Sequence, residues 1–315
     1  MSSRSFLIFC DVTCDLSEEL RNEYEIDYIP GRVTFADGVD RAGVLDWSAY
    51  PLSVNEFCDA LRKDPSSFKT ATPRLSDFFD AFRKAWDQKK GILLICLSSG
   101  MSSTYQYALN AKTAFLEEYP DAVIEVVDSL RYGLGMGMMA IEASMRRAEG
   151  MDLKATAEWL MVNRNAFHQA GWLDDLTFLA KMKRINNAAA FFGTLIGIKP
   201  IGEFAENGMT TVMVKVKGEK AAFPVLVEYL RQTIVDPEEA VLCIAFSSRR
   251  KQAEAYRDMI EEALHPKKIY LCEQYPSTIT NIGPGLMACY YLGKPISRDL
   301  IDETKLINEI AEANK

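Results

Sequence analysis

The sequence predicts a two-domain α/β protein, on three observations. In the first half, short apolar runs alternate with amphipathic helical patterns, as βαβ units around a mostly parallel sheet require. In the second half, an Asn-Gly pair separates two apolar runs, the signature of a tight hairpin that a parallel sheet does not need. The chain has 315 residues, 48% of them hydrophobic and 25% charged, enough for two ordinary domains with a core each.

The elements follow in order. Phe6-Leu-Ile-Phe-Cys10 is a first strand, followed by a polar turn and by Ser17-Glu-Glu as a helix start. Leu75, Phe78, Phe79, Phe82 and Trp86 recur at helical spacing and give a helix with an aromatic face. Ile92 to Leu97 reads as a strand buried on both faces, leading through a Ser/Gly loop into a helix. Val123 to Val127 repeats the theme, and Leu134, Met138, Ile141 and Met145 mark the next helix.

The domain boundary is placed between Gly150 and Lys154, giving domains 1–152 and 153–315. A helical region then runs to about Arg184, and a small-residue helix is expected over Ala188, Ala189, Ala190 and Gly193. Two strands, Ile198 to Phe204 and Thr210 to Val216, flank Glu206-Asn-Gly208 as a hairpin. Helix, strand and helix follow to Glu262, then a strand at Lys268 to Cys272. Thr278 to Gly285 is expected to open an apolar helix containing Leu286, Met287, Tyr290 and Tyr291. Leu300, Ile307 and Ile310 suggest a last amphipathic helix.

Composition narrows the function. The formal charge, 36 basic minus 44 acidic residues or −8, argues against a nucleic-acid footprint. Arg249-Arg-Lys251 is too short to change this and is expected on a solvated helix start. No run reaches the ~18–20 apolar residues of a membrane span, and Phe6 to Cys10 is too short for a signal peptide. The seven cysteines are scattered without metal-ligand spacing. They read as reduced thiols, and the compartment as cytoplasm. No phosphate loop of the GxxxxGK[ST] type occurs, and Gly133-Leu-Gly-Met-Gly137 lacks the dinucleotide-binding spacing. Neither His168 nor His265 accompanies a nucleophile motif. No metal, cofactor or catalytic triad is expected.

The most informative stretch is Ser98-Ser99-Gly100-Met101-Ser102-Ser103-Thr104, between a buried strand and a helix. Such a loop points backbone N–H groups at the sheet edge and attracts anions, and serine hydroxyls add neutral donors. Helix capping by Ser102 or Ser103 accounts for the same residues. Thr70, in Thr70-Ala-Thr-Pro-Arg74, reads as a ligand or as a cap. Asp11 and Asp15 read as acid/base groups or as turn and cap residues. Arg184 reads as an anion partner or an exposed helix-end cation. Gly283-Pro-Gly285 permits a close backbone approach to a ligand's polar end, or makes a plain turn.

Taken together these segments resemble the DegV family, which includes the fatty-acid-binding subunits of bacterial fatty acid kinase. Asp11-Val-Thr-Cys-Asp-Leu16 resembles D-S-T-A-D-L, and Thr70-Ala-Thr-Pro73 resembles T-S-Q-P. Leu97-Ser-Ser-Gly-Met-Ser-Ser-Thr-Tyr-Gln106 is similar to L-S-S-G-L-S-G-T-Y-Q. Val127-Asp-Ser129, Lys183-Arg-Ile185 with Ile198-Lys-Pro-Ile201, and Gly283-Pro-Gly285 resemble V-D-S, G-R-I with N-I-K-P-I, and the end of H-T-G-P-G. The motifs stand in the family's order over almost the whole chain.

The resemblance implies a non-catalytic carrier that encloses a fatty acid in a tunnel between its domains. By motif, Thr70, Ser98 or Ser99, and Asn281 hold the carboxylate, with Thr13, Arg184, Gly283 and Gly285 in support. A fatty acid kinase catalytic subunit is the implied partner, forming an acyl phosphate for phospholipid synthesis. Asn281 stands where the family usually has His, and it cannot carry a proton-switchable charge near neutral pH. Ala71, Thr72 and Arg74 also depart from the motif. The segment after Lys294 is longer than the usual family end, with no function assigned to it. The alternative reading is an enzyme acting on a small anionic substrate with Asp11 or Asp15 as acid/base.

Overall fold

In a computed structural model describing residues 6–187 and 197–314, the first half alternates short apolar strands with helices. Strand β1 (Phe6–Asp11) leads to helix α1 (Glu18–Glu23), started by Ser17, whose side chain accepts from the Leu20 N–H. β2 (Ile26–Ile29), β3 (Arg32–Thr34) and β4 (Asp40–Ala42) follow. Helix α2 (Val54–Lys63) opens on a capping box in which Ser53 and Glu56 satisfy each other's backbone N–H. Then come β5 (Lys69–Ala71), α3 (Leu75–Asp87), β6 (Gly91–Cys96), α4 (Thr104–Glu118), β7 (Ile124–Asp128), α5 (Leu134–Ala148) and α6 (Leu153–Asn163).

β2, β1, β6 and β7 form, in that order, a parallel four-stranded sheet. Alternation along β6 explains its double burial. Ile92, Leu94 and Cys96 join Phe78, Phe82 and Phe115 of α3 and α4 in one cluster. Leu93 and Ile95 point the other way, toward α5 and α6, which pack on β6. A separate antiparallel sheet, ordered β4-β3-β5, carries Thr70 opposite Val33.

The second half contains β8 (Phe167–Leu173), α7 (Thr177–Lys181), β9 (Ile198–Phe204), β10 (Thr210–Lys217) and α8 (Glu219–Thr233). It ends with β11 (Val241–Phe246), α9 (Arg250–Leu264), β12 (Lys268–Glu273), α10 (Pro276–Ile282), β13 (Leu286–Leu292) and α11 (Ile301–Ala313). The sheet has six strands in the order β10-β9-β8-β13-β11-β12, with β11 and β12 parallel and the other pairs antiparallel. The expected hairpin is β9–β10, and its register shifts between Val212 and Val214. Trp172, Phe223, Tyr229, Tyr256 and Met287 anchor the core.

Contacts divide the chain into two units: residues up to Pro51 with Ser66–Arg164 and Tyr275–Ser277, and Leu52–Pro65 with Asn165–Gln274 and the segment from Thr278 on. This corrects the expected boundary at 152/153. Helix α6 stays with the first unit because buried Leu153 lies against Gly91, where a Cβ would come 2.5 Å from the leucine. α2 belongs to the second unit.

Two further expectations change. Residues 167–173 are not helical but form β8, buried along its whole length. Residues 286–292 are a strand, not a helix, so Gly283-Pro-Gly285 joins α10 to β13. Gly171 and Ala288 show how close these strands are: a Cβ on Gly171 would lie 2.3 Å from that of Ala288. The expected small-residue helix over Ala188–Gly193 lies outside the described residues. All seven cysteines are free and buried, and among the described residues no helix is long and apolar enough to cross a membrane.

Candidate functional site

The serine loop leaves the C-terminal end of β6, between the ends of β1 and β7, and each neighbour contributes an aspartate to it. Asp11, the last residue of β1, accepts from the Leu97 N–H at 2.7 Å. Asp128, the last residue of β7, accepts from the Ser99 N–H at 3.0 Å and the Ser99 hydroxyl at 2.6 Å. It also accepts from the Leu130 N–H at 3.2 Å. Two carboxylates from flanking strands thus strap the loop from both sides.

The rest of the loop is held from within. The Ser98 N–H donates to the Arg131 carbonyl, Gly100 to the Ser98 hydroxyl oxygen, and Met101 and Ser102 to the Ser98 carbonyl. Every backbone N–H from Leu97 to Ser102 therefore has an acceptor inside the chain. Those six N–H groups are committed within the chain and not free for an anion. Ser99 has committed its single O–H proton to Asp128. Ser98 is fully buried. Ser103 occupies the N-cap position of α4 without a side-chain bond, and the Ser102 hydroxyl oxygen accepts from the Thr104 N–H at 3.2 Å. The capping reading of Ser102 is the one observed.

Thr13 and the two leading aspartates are structural in the same sense. Asp11 caps a short 3-10 turn, accepting from the Thr13 N–H at 2.9 Å and from the Thr13 hydroxyl. Burial raises the Asp11 carboxyl above its usual range, although the bonds from Thr13 and Leu97 pull it down. Asp15 is fully buried in the left-handed region and accepts from the Tyr275 N–H at 3.1 Å. Burial also pushes the thiols of Cys10 and Cys96 well up, which disfavours their thiolate forms. Among the described residues, no group of three or more His, Cys, Asp or Glu side chains is placed to hold a metal ion.

Thr70 lies half-buried on β5, in the antiparallel sheet rather than the parallel one. In the second unit, Arg184 is not an exposed helix-end cation. It is partly buried, burial lowers its pKa, and its guanidinium donates to the Asn281 side-chain carbonyl at 2.7 Å. The two residues are thus brought together, 97 positions apart in sequence.

The Gly283-Pro-Gly285 loop is also internally satisfied. The Gly283 N–H donates to the Ile279 carbonyl at 2.8 Å, and the N–H groups of Gly285 and Leu286 share the Ser247 hydroxyl oxygen. Both glycines have positive φ, 84° and 102°. A Cβ on Gly283 would strike the Phe178 ring at 2.5 Å, and one on Gly285 the Asp174 carboxylate at 2.8 Å. Close packing and positive φ by themselves require glycine at both positions.

Asp174 belongs to an ion cluster that sequence reasoning missed. It meets Lys199 at 2.7 Å and Arg249, and Arg249 also reaches Glu219 at 3.2 Å. Burial raises the Asp174 carboxyl, but Arg249 and Lys199 outweigh it and hold the group below its usual range. Arg249 is therefore largely buried, not on a solvated helix start as its basic neighbours suggested. Its sequence signal was present, but its partners lie 30 and 75 residues away.

Comparison with known proteins extends this geometry. The sequence model of the DegV family, described as an uncharacterised protein family, matches residues 5–294. A DegV domain-containing protein of Clostridium perfringens is 30% identical over 293 residues, covering 92% of this chain and 98% of that protein. A DegV family protein of Thermus thermophilus, whose structure is described as showing fatty acid binding, superposes with a TM-score of 0.79 at 24% identity, covering 92% of this chain and 99% of that one. The Streptococcus pneumoniae fatty acid kinase B3 protein, solved with linoleic acid, gives 0.75 at 18% identity, with 93% and 100% covered. With the strand–loop–helix site built as described and nearly the whole chain matched, the protein belongs to the DegV family.

Proposed function

We propose that this protein is a cytoplasmic, non-catalytic carrier that binds a long-chain fatty acid and offers its carboxylate to a kinase subunit for acyl-phosphate formation. The observation that carries the reading is family membership together with a strapped, hydroxyl-bearing loop at the C-terminal edge of the parallel sheet. Relatives of the same fold have been solved with stearic, heptadecanoic and linoleic acids.

In this proposal Ser98 and Thr70 supply the hydroxyl contacts to the carboxylate. Ser99 positions the loop through Asp128. Asn281 takes the family histidine's place, and since its carbonyl faces Arg184, its contact with an anion runs through the amide N–H groups. The tail dominates affinity: burying about 15 methylenes is worth ~0.8 kcal/mol each before entropic costs. A hydrogen bond to the charged head adds only about 1.5–3 kcal/mol.

The bonds already made by Asp11 and Asp15 support the carrier over the acid/base enzyme. Protein purified from a heterologous host should release a long-chain fatty acid when extracted for mass spectrometry. Thr70→Ala and Ser98→Ala should each weaken rebinding by roughly 10-fold. Protein repeatedly recovered empty, and unable to bind a fluorescent fatty acid, would overturn the reading.

A further inference from the structure

The DegV sequence model stops at residue 294, and the whole of α11 lies beyond it. The C. perfringens relative is matched over 98% of its length by 92% of this chain, so the surplus belongs to this chain. α11 is firmly seated. Ile307 and Ile310 are buried in the core of the second unit with Met213, Val216 and Val227, and Asn308 donates to the Met213 carbonyl at the β10 bulge at 3.2 Å.

With α8 and α9, the remaining face of α11 encloses an open groove of about 800 Å³. Val227, Met259, Leu306 and Ile310 contribute its apolar surface, and its charged lining is Glu228, Glu262 and Glu309, with no Lys or Arg among the lining residues. Glu228 is paired with Arg231 at 2.7 Å. Glu262 and Glu309 have no ion-pair partner among the described residues.

The backbone adds to this charge. The lining includes the last turns of both α9 and α11, and neither last turn carries a basic residue. Helix C-termini present carbonyls with partial negative charge, which Lys or Arg usually offsets. Two such termini and two unpaired glutamates around an apolar floor leave a cation-seeking groove.

We propose that this groove docks a cationic amphipathic helix of a partner protein, its apolar stripe on Leu306 and Met259 and its Lys/Arg flanks on Glu262 and Glu309. A second copy of this chain fits less well, since at −8 it repels itself.

The test uses the full chain and a fluorescein-labelled amphipathic Leu/Lys peptide of about 14 residues, followed by anisotropy. Binding is expected to weaken about 10-fold in Glu262→Gln/Glu309→Gln and in Ala263→Arg, but not in Glu18→Gln/Glu19→Gln, which removes equal charge elsewhere. Hydrogen exchange of the unaltered protein should show peptide-dependent protection at 259–263 and 306–313. Equal binding by the two double variants, equal binding of a Leu/Glu peptide, or protection elsewhere would each overturn the proposal. A dimer in sedimentation that Ala263→Arg dissolves would assign the groove to a second copy, and also overturn it.

Discussion

The Arg184 guanidinium donates to the side-chain carbonyl of Asn281 at 2.7 Å, which fixes the orientation of the amide. Guanidinium has donors only, so the carbonyl must face it and the NH2 group must point the other way. In Asn281→Asp both oxygens are acceptors, which replaces a donor with a negative charge in the proposed carboxylate site. Fatty-acid affinity is expected to fall about 10-fold or more in Asn281→Asp. In Asn281→Ala the loss should be smaller. Displacement of a fluorescent fatty acid measures both, and an unchanged Asn281→Asp would remove Asn281 from the site.

Asp128 accepts three bonds, two from the serine loop it straps, the Ser99 N–H and hydroxyl, and one from the Leu130 N–H that follows it. Asp128→Ala leaves those donors without their acceptor. Urea denaturation should show a loss of about 2–4 kcal/mol. Fatty-acid binding should weaken as well, although the residue makes no proposed contact with the ligand.

Glu142, buried on α5, titrates in an unusual sense. Burial raises its carboxyl above the ordinary 4.5, Arg146 opposes the shift, and Glu149 reinforces it. The folded state then binds the proton more tightly than the unfolded chain does. Stability is full below the ordinary value and falls as pH rises through the raised one. Glu142→Gln lacks this loss, so its stability relative to wild type should improve from acid to neutral pH. Urea titrations at several pH values test the slope, and a difference independent of pH would contradict it.

Much of this was legible because it is local. The Asn-Gly hairpin, the Ser17 cap and the aromatic face of α3 each depend on a few adjacent residues. β8 was not, because Phe167-His-Gln-Ala-Gly-Trp-Leu173 is buried throughout and shows no alternation. Its polar residues are satisfied at a distance, His168 by Glu203 at 2.8 Å and Gln169 by the Tyr290 hydroxyl at 2.9 Å. The run 286–292 is uniformly apolar, and such a run reads equally as strand or helix. The serine loop was found from its motif, but its bonding needs three strands side by side before Asp11 and Asp128 can be seen to share it.

Ile307 is fully buried although it lies beyond the residues that the DegV model matches. Ile307→Ala should therefore cost about 2–4 kcal/mol, as for a core isoleucine. Thermal and urea unfolding would show it, and a neutral result would mean that α11 is only a loosely held appendage.

The chain changes units after Pro51, Pro65, Arg164, Gln274 and Ser277. During synthesis, Asp15 must wait for Tyr275, 260 residues later, and Asn55 for Ser248, 193 residues later. No single cut in the gene yields a complete first or second unit, and neither can close on the ribosome before most of the chain has emerged. Folding is thereby postponed to the end of translation, with its loop-closure cost concentrated there.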